Sequence, residues 1–336
     1  MPGIPAKSGH AEAAARLVSS LQRRLVERLE SVANERFEPI EWLRDEGRHG
    51  GGTRLVAPTQ ATFDRASVNV SAIHYDDMPE KRLGSATALS AIVHPANPLV
   101  SSVHTHFSWT ELRDGRGYWR MMADLNPSVP VVADRERFVA ALREAAGEHF
   151  EGAAAEGDRY FHIPALERHR GVAHFYLEGF TTGEWDADAA LARRIARAVI
   201  DTYGGLLAEA VQRTPTAEHA EAQRRYHTVY LFQVLTRDRG TTSGLLVHDQ
   251  NDVGILGSLP SRVDRELLAS WAGRVEPVQV PLVKGLVAAL GADGRVDTEA
   301  KRRLARTVRE HCRAHPEALA LQARGALLPP TVANHR

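Results

Sequence analysis

Between residues 53 and 106, four short stretches fit extended, partly buried strands separated by turn-forming residues. The stretches are Thr53 to Val56, Ser67 to Ile73, Ala88 to Val93 and Val100 to His106. In the second, Val68 and Val70 alternate with polar neighbours, as a strand with one buried face requires. Turn chemistry such as Asp76-Asp77-Met78-Pro79 separates the stretches. Val172 to Leu177 and Val229 to Leu235 read as further strands. Between and around them lie helical patterns. Ala11 to Val32 carries Leu17, Leu21, Leu25 and Leu29 at helical spacing, and Asp134 to His149 and Asp186 to Arg213 read as helices N-capped by Asp134 and Asp186. Strands joined by tight turns, with helices grouped between them, predict an α+β fold around a large, mostly antiparallel sheet.

Composition narrows the function classes. With 336 residues, 43% of them hydrophobic, the chain can bury a large core. Its 42 basic and 42 acidic residues balance, so no net field draws it to nucleic acid or an anionic membrane. No apolar run approaches the roughly 20 residues that span a bilayer. Met1 to Glu27 lacks the apolar core of a signal peptide, which gives the expectation of a soluble, cytoplasmic protein. The single cysteine, Cys312, excludes an internal disulfide and a multi-cysteine zinc site, and reads as a packed thiol.

Chemistry-bearing residues gather at the ends of the extended stretches. His94-Pro95-Ala96-Asn97-Pro98 is followed by His104-x-His106 and by Ala123-Asp124-Leu125-Asn126-Pro127; far downstream stands Arg237-Asp238-Arg239-Gly240-Thr241. On a strand, His104 and His106 share a face, a spacing that suits metal ligation and equally a hydrogen-bonded or surface pair. Asp238-Arg239 also fits an ordinary turn with an ion pair, and Glu178-Gly179-Phe180 a plain strand end. Gly50-Gly51-Gly52 lacks the Lys-Ser/Thr of a phosphate loop and reads as a flexible connector. Nothing forms a Ser-His-Asp or nucleophile-elbow pattern. In the tail, Gly291 to Gly294 is a turn, and Thr298 to His315 is a basic amphipathic helix with a solvated face, stopped by Pro316. Asp297 and Glu299 suit its N-terminal end, and Asp293 with Asp297 offers too few oxygens for a calcium loop.

Taken in order, these segments resemble the oxygen-dependent coproporphyrinogen III oxidases over roughly residues 40 to 275. Ser67-Val68-Asn69-Val70-Ser71 resembles the family's Ala-Gly-Val-Asn-Phe-Ser. Ser90-Ala91-Ile92-Val93-His94-Pro95-x-Asn97-Pro98 resembles its Ser-Leu-Val-x-His-Pro-x-Asn-Pro. Val103-His104, Asp124-Leu125-x-Pro127 and Arg170-Gly171-Val172 are similar to its Val-His, Asp-Leu-Thr-Pro and Arg-Gly-Ile. Asp238-Arg239-Gly240-Thr241 and Ser258-Leu259-Pro260 are identical to family segments.

The resemblance implies a flat antiparallel sheet sandwiched by helices, a homodimer, and a cleft for a tetrapyrrole. It implies a domain over residues 1–275, leaving 276–336 as a helical extension. The implied activity uses O2 as co-substrate without an organic cofactor: a pyrrole is deprotonated, O2 reacts, and a propionate leaves as carbon dioxide to give a vinyl group. Carried over, His104, Asp124 and Asp238 are catalytic; His104 is the acid/base and Asp124 or Asp238 faces the pyrrole nitrogens. Ser90, Arg239, His106, Ser108, Asn69 and Arg54 contact substrate. Bacterial members are described with a four-histidine divalent-metal site, of which His94 and His104 remain, the other positions falling near Val139 and Ala165. The family's His-x-Asn-x-Arg reads here His104-x-His106-x-Ser108, its Gly-Gly-Arg falls near Gln250-Asn251, and its glycine-rich run is replaced by Trp119 to Ala123. Arg54, Arg120 and Arg170 are the cations at hand to replace the two missing arginines. The departures leave open three alternatives: oxidation of another pyrrole- or indole-like acid in secondary metabolism, a non-catalytic tetrapyrrole-binding protein, and a metal-dependent oxygenase. The last would use His94, His104 and His106 with Asp124 or Glu111.

Overall fold

A computed structural model describes residues 2–247 and 251–323. Seven strands form one antiparallel sheet: β1 (Glu38–Leu43), β2 (Gly50–Val56), β3 (Phe63–His74), β4 (Leu83–Pro95), β5 (Ser102–Leu112), β6 (Gly117–Asn126) and β9 (Ala173–Phe180), in that spatial order. A two-residue ribbon, β7 (His162–Ile163) with β8 (Arg168–His169), precedes the last strand. The helices are α1 (Gly9–Ala33), α2 (Val132–Ala146), α3 (Phe150–Phe161), α4 (Trp185–Ala210), α5 (Ala217–Thr236), α6 (Arg239–Val247), α7 (Asp252–Ile255), α8 (Arg265–Ser270), α9 (Val280–Ala289) and α10 (Thr298–Ala314).

The period-2 alternation of the strands decides which helices cover which face. Val68, Val70, Leu89, Ala91, Val93, Val103, Phe107 and Trp109 turn to one side and share a core with Leu17, Leu21 and Leu25 of α1 and with α2 and α4. The opposite side is half-open at Asn69, Ser71, Ala86, Ala88 and Ser90. Helices α5, α8, α9 and α10 build a second core there, which Ile92 of β4 joins. The expected sheet between helix layers is present. Helices α9 and α10, beyond residue 276, share this second core with α5 rather than forming one of their own.

Three expectations give way. Val229 to Leu235 is not a strand but the last two turns of α5. Residues 226 to 236 are all buried, so a helix covered on every side reads as an unbroken apolar run, which periodicity cannot separate from a buried strand. Gly50 to Gly52 is not a flexible connector but the start of β2. A Cβ on Gly50, whose φ is +85°, would stand 2.1 Å from the Ala72 carbonyl oxygen, and one on Gly52 would stand 2.4 Å from that of Val70. Asp134 and Asp186 lie inside the first turns of their helices, whose caps are Val131 and Glu184. Acidic side chains there still favour the helix dipole. By contrast, Asp297 caps α10, its carboxylate accepting from the Ala300 amide at 2.8 Å. Cys312 is a half-buried thiol whose pKa burial pushes up to about 11. No described helix is long and apolar enough to cross a membrane.

Candidate active site

Strand register assembles the site. Arg54, Asn69, Ser90, His106, Met122 and Tyr176 stand directly opposite one another across β2, β3, β4, β5, β6 and β9. Opposed residues on antiparallel strands share a face, so four of the six predicted substrate contacts form one row. His104 and Asp124 lie in the next row, between Ile92 and His174. On the other flank run Ser71, Ala88, Ser108 and Arg120. The half-open stretch of the sheet is thus the floor of a polar cleft.

Asp124 is fully buried and bound from three sides. Its Oδ1 lies 2.8 Å from His104 Nδ1, and its Oδ2 accepts from Arg170 Nη2 and Asn126 Nδ2 at 2.6 Å each. Burial alone would raise its pKa, but the Arg170 guanidinium and His104 overcome that and hold it well below the usual carboxylate range. Arg170 is itself clamped: Nη1 donates to Gln233 Oε1 at 2.7 Å, and the guanidinium lies over Phe161 and Tyr230, 4.4 and 5.2 Å from the ring centres. His104 Nδ1 is shared between Asp124 Oδ1 and Arg170 Nη2, the latter at 3.0 Å; with its proton on Nδ1 toward the carboxylate, the ring leaves Nε2 as a base. The His104 side chain is 14% exposed on the cleft side. Asp124 therefore has no free edge for a substrate; its geometry suits orienting His104.

Asp238 is the carboxylate that remains accessible. It begins α6, its Oδ2 accepting from the Thr241 amide at 2.7 Å and its Oδ1 from the Tyr160 hydroxyl at 3.0 Å, and it is half-buried. The next residue, Arg239, turns inward and donates to Glu178 of β9. Glu178 is more than a strand end: its Oε1 also accepts from Tyr176 at 2.7 Å and Arg120 at 3.3 Å.

The remaining candidates separate. Arg54 reaches α7; a Cβ on Gly254 would meet its Nη1 at 2.6 Å and Asn251 Oδ1 at 2.0 Å. Gln250 lies outside the described residues. Burial, helped by Arg120 and His104, pushes the pKa of His106 down to about 3, which keeps it neutral. His94 is buried with Nδ1 2.9 Å from Ser102 Oγ and its ring 4.5 Å edge-on from Tyr230. Its ring thus packs on α5, while His104 Nδ1 is held by Asp124. The other two metal positions cannot join them: Val139 packs against the core of α1 and α4, Ala165 against that of α5. Among the described residues no group of three or more His, Cys, Asp or Glu side chains could hold a metal ion. These residues do not fit the implied metal site. Glu111, the other carboxylate considered, faces the α1 side, accepting from Ser8 and Ser85 at 2.7 Å each.

Sequence reasoning missed Gln233, Tyr160 and Tyr176. Gln233 had a signal: one amide in an otherwise apolar run is buried only with a partner. A cavity of ≈ 590 Å³ lined by His10, Trp109 and Trp185 lies at the hairpin end of the α1 side. It contains Glu111 but none of the groups gathered on the polar face.

The comparisons agree with this geometry. The family model described as coproporphyrinogen III oxidase matches residues 13–272. A Rickettsia akari protein named oxygen-dependent coproporphyrinogen-III oxidase is 27% identical over 242 residues, covering 68% of this chain and 85% of the relative. Proteins of the same name from Prochlorococcus marinus and Drosophila melanogaster are each 26% identical, covering 76% and 78% of this chain and 83% and 72% of the relatives. A match across most of the chain, on a sheet whose register gathers the matched residues, shows that the chain belongs to the coproporphyrinogen III oxidase family.

Proposed function

We propose that this chain is an oxygen-dependent coproporphyrinogen III oxidase of haem biosynthesis, with O2 as co-substrate. The observation that carries this reading is the alignment of Arg54, Asn69, Ser90 and His106 in one cross-strand row beside His104, on the half-open face of the sheet. Such a floor suits a broad, flat substrate with polar groups at its rim. In each round a propionate arm loses carbon dioxide and two electrons to become a vinyl group. O2 takes the electrons with two protons and leaves as hydrogen peroxide.

The protein's part is positioning and proton handling. Asp238 accepts the pyrrole N–H, and its backbone and tyrosine hydrogen bonds hold its two oxygens in place. His104 Nε2 moves the proton, with Asp124 and Arg170 as positioning residues behind it. Asn69, Ser90, His106, Ser108, Arg54 and Arg239 contact the substrate around these groups. A homodimer is part of the proposal. It is supported by edge strand β1, where Ile40 and Leu43 are 41% and 53% exposed beside an unpaired backbone edge. Incubating the purified protein with coproporphyrinogen III in air and separating the products tests the function. Mono- and divinyl products are expected; unchanged substrate at stoichiometric enzyme rejects the reading.

A further inference from the structure

Helix α5 ends at Thr236 and α6 begins at Arg239, so Arg237 and Asp238 form a two-residue joint between them. A helix end leaves its last carbonyl groups without partners inside the helix. Here the amides of Arg237 and Asp238 both donate back to the Gln233 carbonyl, at 2.9 and 3.1 Å. The carbonyls of Thr236 and Arg237 are taken by the C-terminal segment instead. That of Thr236 accepts from Gln279 Nε2 at 3.3 Å, and that of Arg237 from the Ala323 amide at 2.9 Å. The Arg237 guanidinium returns the contact, Nη1 donating to the Leu321 carbonyl at 2.9 Å. Leu321 closes a short 3-10 turn, Pro316–Leu321, that follows α10. Gln279 and Ala323 are both buried, so these bonds are made away from water.

The same segment reaches the other support of Asp238. Ala323 packs in one cluster with Tyr160, Phe161, Tyr176 and Met122 of the cleft floor. It is the Tyr160 hydroxyl that donates to Asp238 Oδ1. Backbone and side chain of Asp238 are thus both braced by groups between residues 279 and 323, whereas the family match ends at residue 272. Resting on the catalytic role given to Asp238 above, we infer that Gln279, Leu321 and Ala323 are positioning residues for Asp238, with Arg237 as the clasp between them and the joint. The segment beyond the family match is then part of the site's machinery. A displacement of about 1 Å at a reacting group can cost on the order of 10²-fold in rate, so the clasp acts on turnover.

The test is steady-state oxidation of coproporphyrinogen III, with binding of the oxidised form, coproporphyrin III, as a readout that needs no turnover. Ala323→Pro deletes the amide that donates to Arg237, and Arg237→Met deletes the bond to Leu321. Each should lower kcat roughly 10- to 100-fold while coproporphyrin III still binds with near wild-type affinity. Arg237→Lys, which keeps a donor, should recover part of the rate. The double variant should lose little more than the worse single, because both changes open one clasp. Wild-type kcat in folded Ala323→Pro, or losses that simply multiply in the double variant, overturn the inference. So does a loss of binding equal to the loss of kcat, which marks a collapsed cleft rather than a displaced base. If Arg237→Met does not fold, Ala323→Pro, a change confined to the tail, decides alone. Wild type that oxidises coproporphyrinogen III while the variants match it keeps the function and loses only this assignment. Wild type that gives no vinyl product removes the function and the assignment together.

Discussion

Replacing Asp124 with Asn tests the network behind the site. The carboxylate is fully buried, and its partner Arg170 has a side chain only 1% exposed. In Asp124→Asn the guanidinium keeps its position but loses its counter-charge, and an amide group must face either His104 or Asn126. Removing one partner of a buried ion pair costs about 3–5 kcal/mol, a large share of the roughly 5–15 kcal/mol that holds a domain folded. With a urea slope of about 3 kcal/mol/M, the unfolding midpoint should fall by about 1–2 M. Urea titration followed by tryptophan fluorescence reads this directly. The double variant Asp124→Asn/Arg170→Met, with both charges gone, should lose less than the sum of the singles. Acid unfolding supplies a second readout. The folded carboxyl binds its proton more weakly than the unfolded one, so its stabilisation is full above the unfolded value of 3.8 and drains away as pH falls below it. D124N should lack that acid-sensitive component. A midpoint shift below about 0.3 M (~1 kcal/mol at the same slope), with the acid limb unchanged, would refute the reasoning.

Other outcomes follow from single residues. Asp238→Asn should lower kcat by about 10²-fold or more while leaving the urea midpoint within the ~1 kcal/mol of a half-buried polar change; near-normal turnover contradicts its assigned role. Lys301 of α10 is buried near Arg65, Arg54 and Asp64, and burial first, then repulsion from the two arginines, lowers its pKa from 10.5 to about 8. Folding therefore disfavours its charged form, and wild-type stability should rise by on the order of 3 kcal/mol between pH 8 and 10.5. Lys301→Met should flatten that rise, and an unaltered slope disproves it. Gly52→Ala should cost about 1–3 kcal/mol through the close approach of Trp42 and Val70, seen as a lower thermal midpoint; a neutral result contradicts the packing.

Much of the sheet was legible because one side is half-open. In β3 and β4 the alternation of Val68, Val70, Leu89 and Ala91 with Asn69, Ser71, Ala88 and Ser90 marks both the strand and its cleft face. Two strands of the seven-stranded sheet were not foreseen, for opposite reasons. β1 is an exposed edge carrying Pro39, without a buried face, whereas β6 is buried along most of its length, which hides its period. Helix α5 was hidden by the same uniform burial. At the site, His104, Asp124 and Asp238 stood out through their Pro, Asn and Gly neighbours. What their spacing did not carry is direction: Asp124 points inward to Arg170, and only the tertiary structure brings Tyr160 to Asp238 and Gln233 to Arg170. The separation of His94 from His104 by different partners was equally invisible in the sequence, where both looked like ligands.

On the proposed function, the half-open sheet face, with His104 and Asp238, drives oxidative decarboxylation of coproporphyrinogen III by O2. Simultaneous recording of O2 uptake and carbon dioxide release by the purified protein tests it most directly. One O2 consumed per carbon dioxide released, with both signals collapsing together in His104→Gln, is the predicted result. Carbon dioxide release without O2 uptake, no response to the substrate at all, or a His104→Gln variant matching wild type would contradict it.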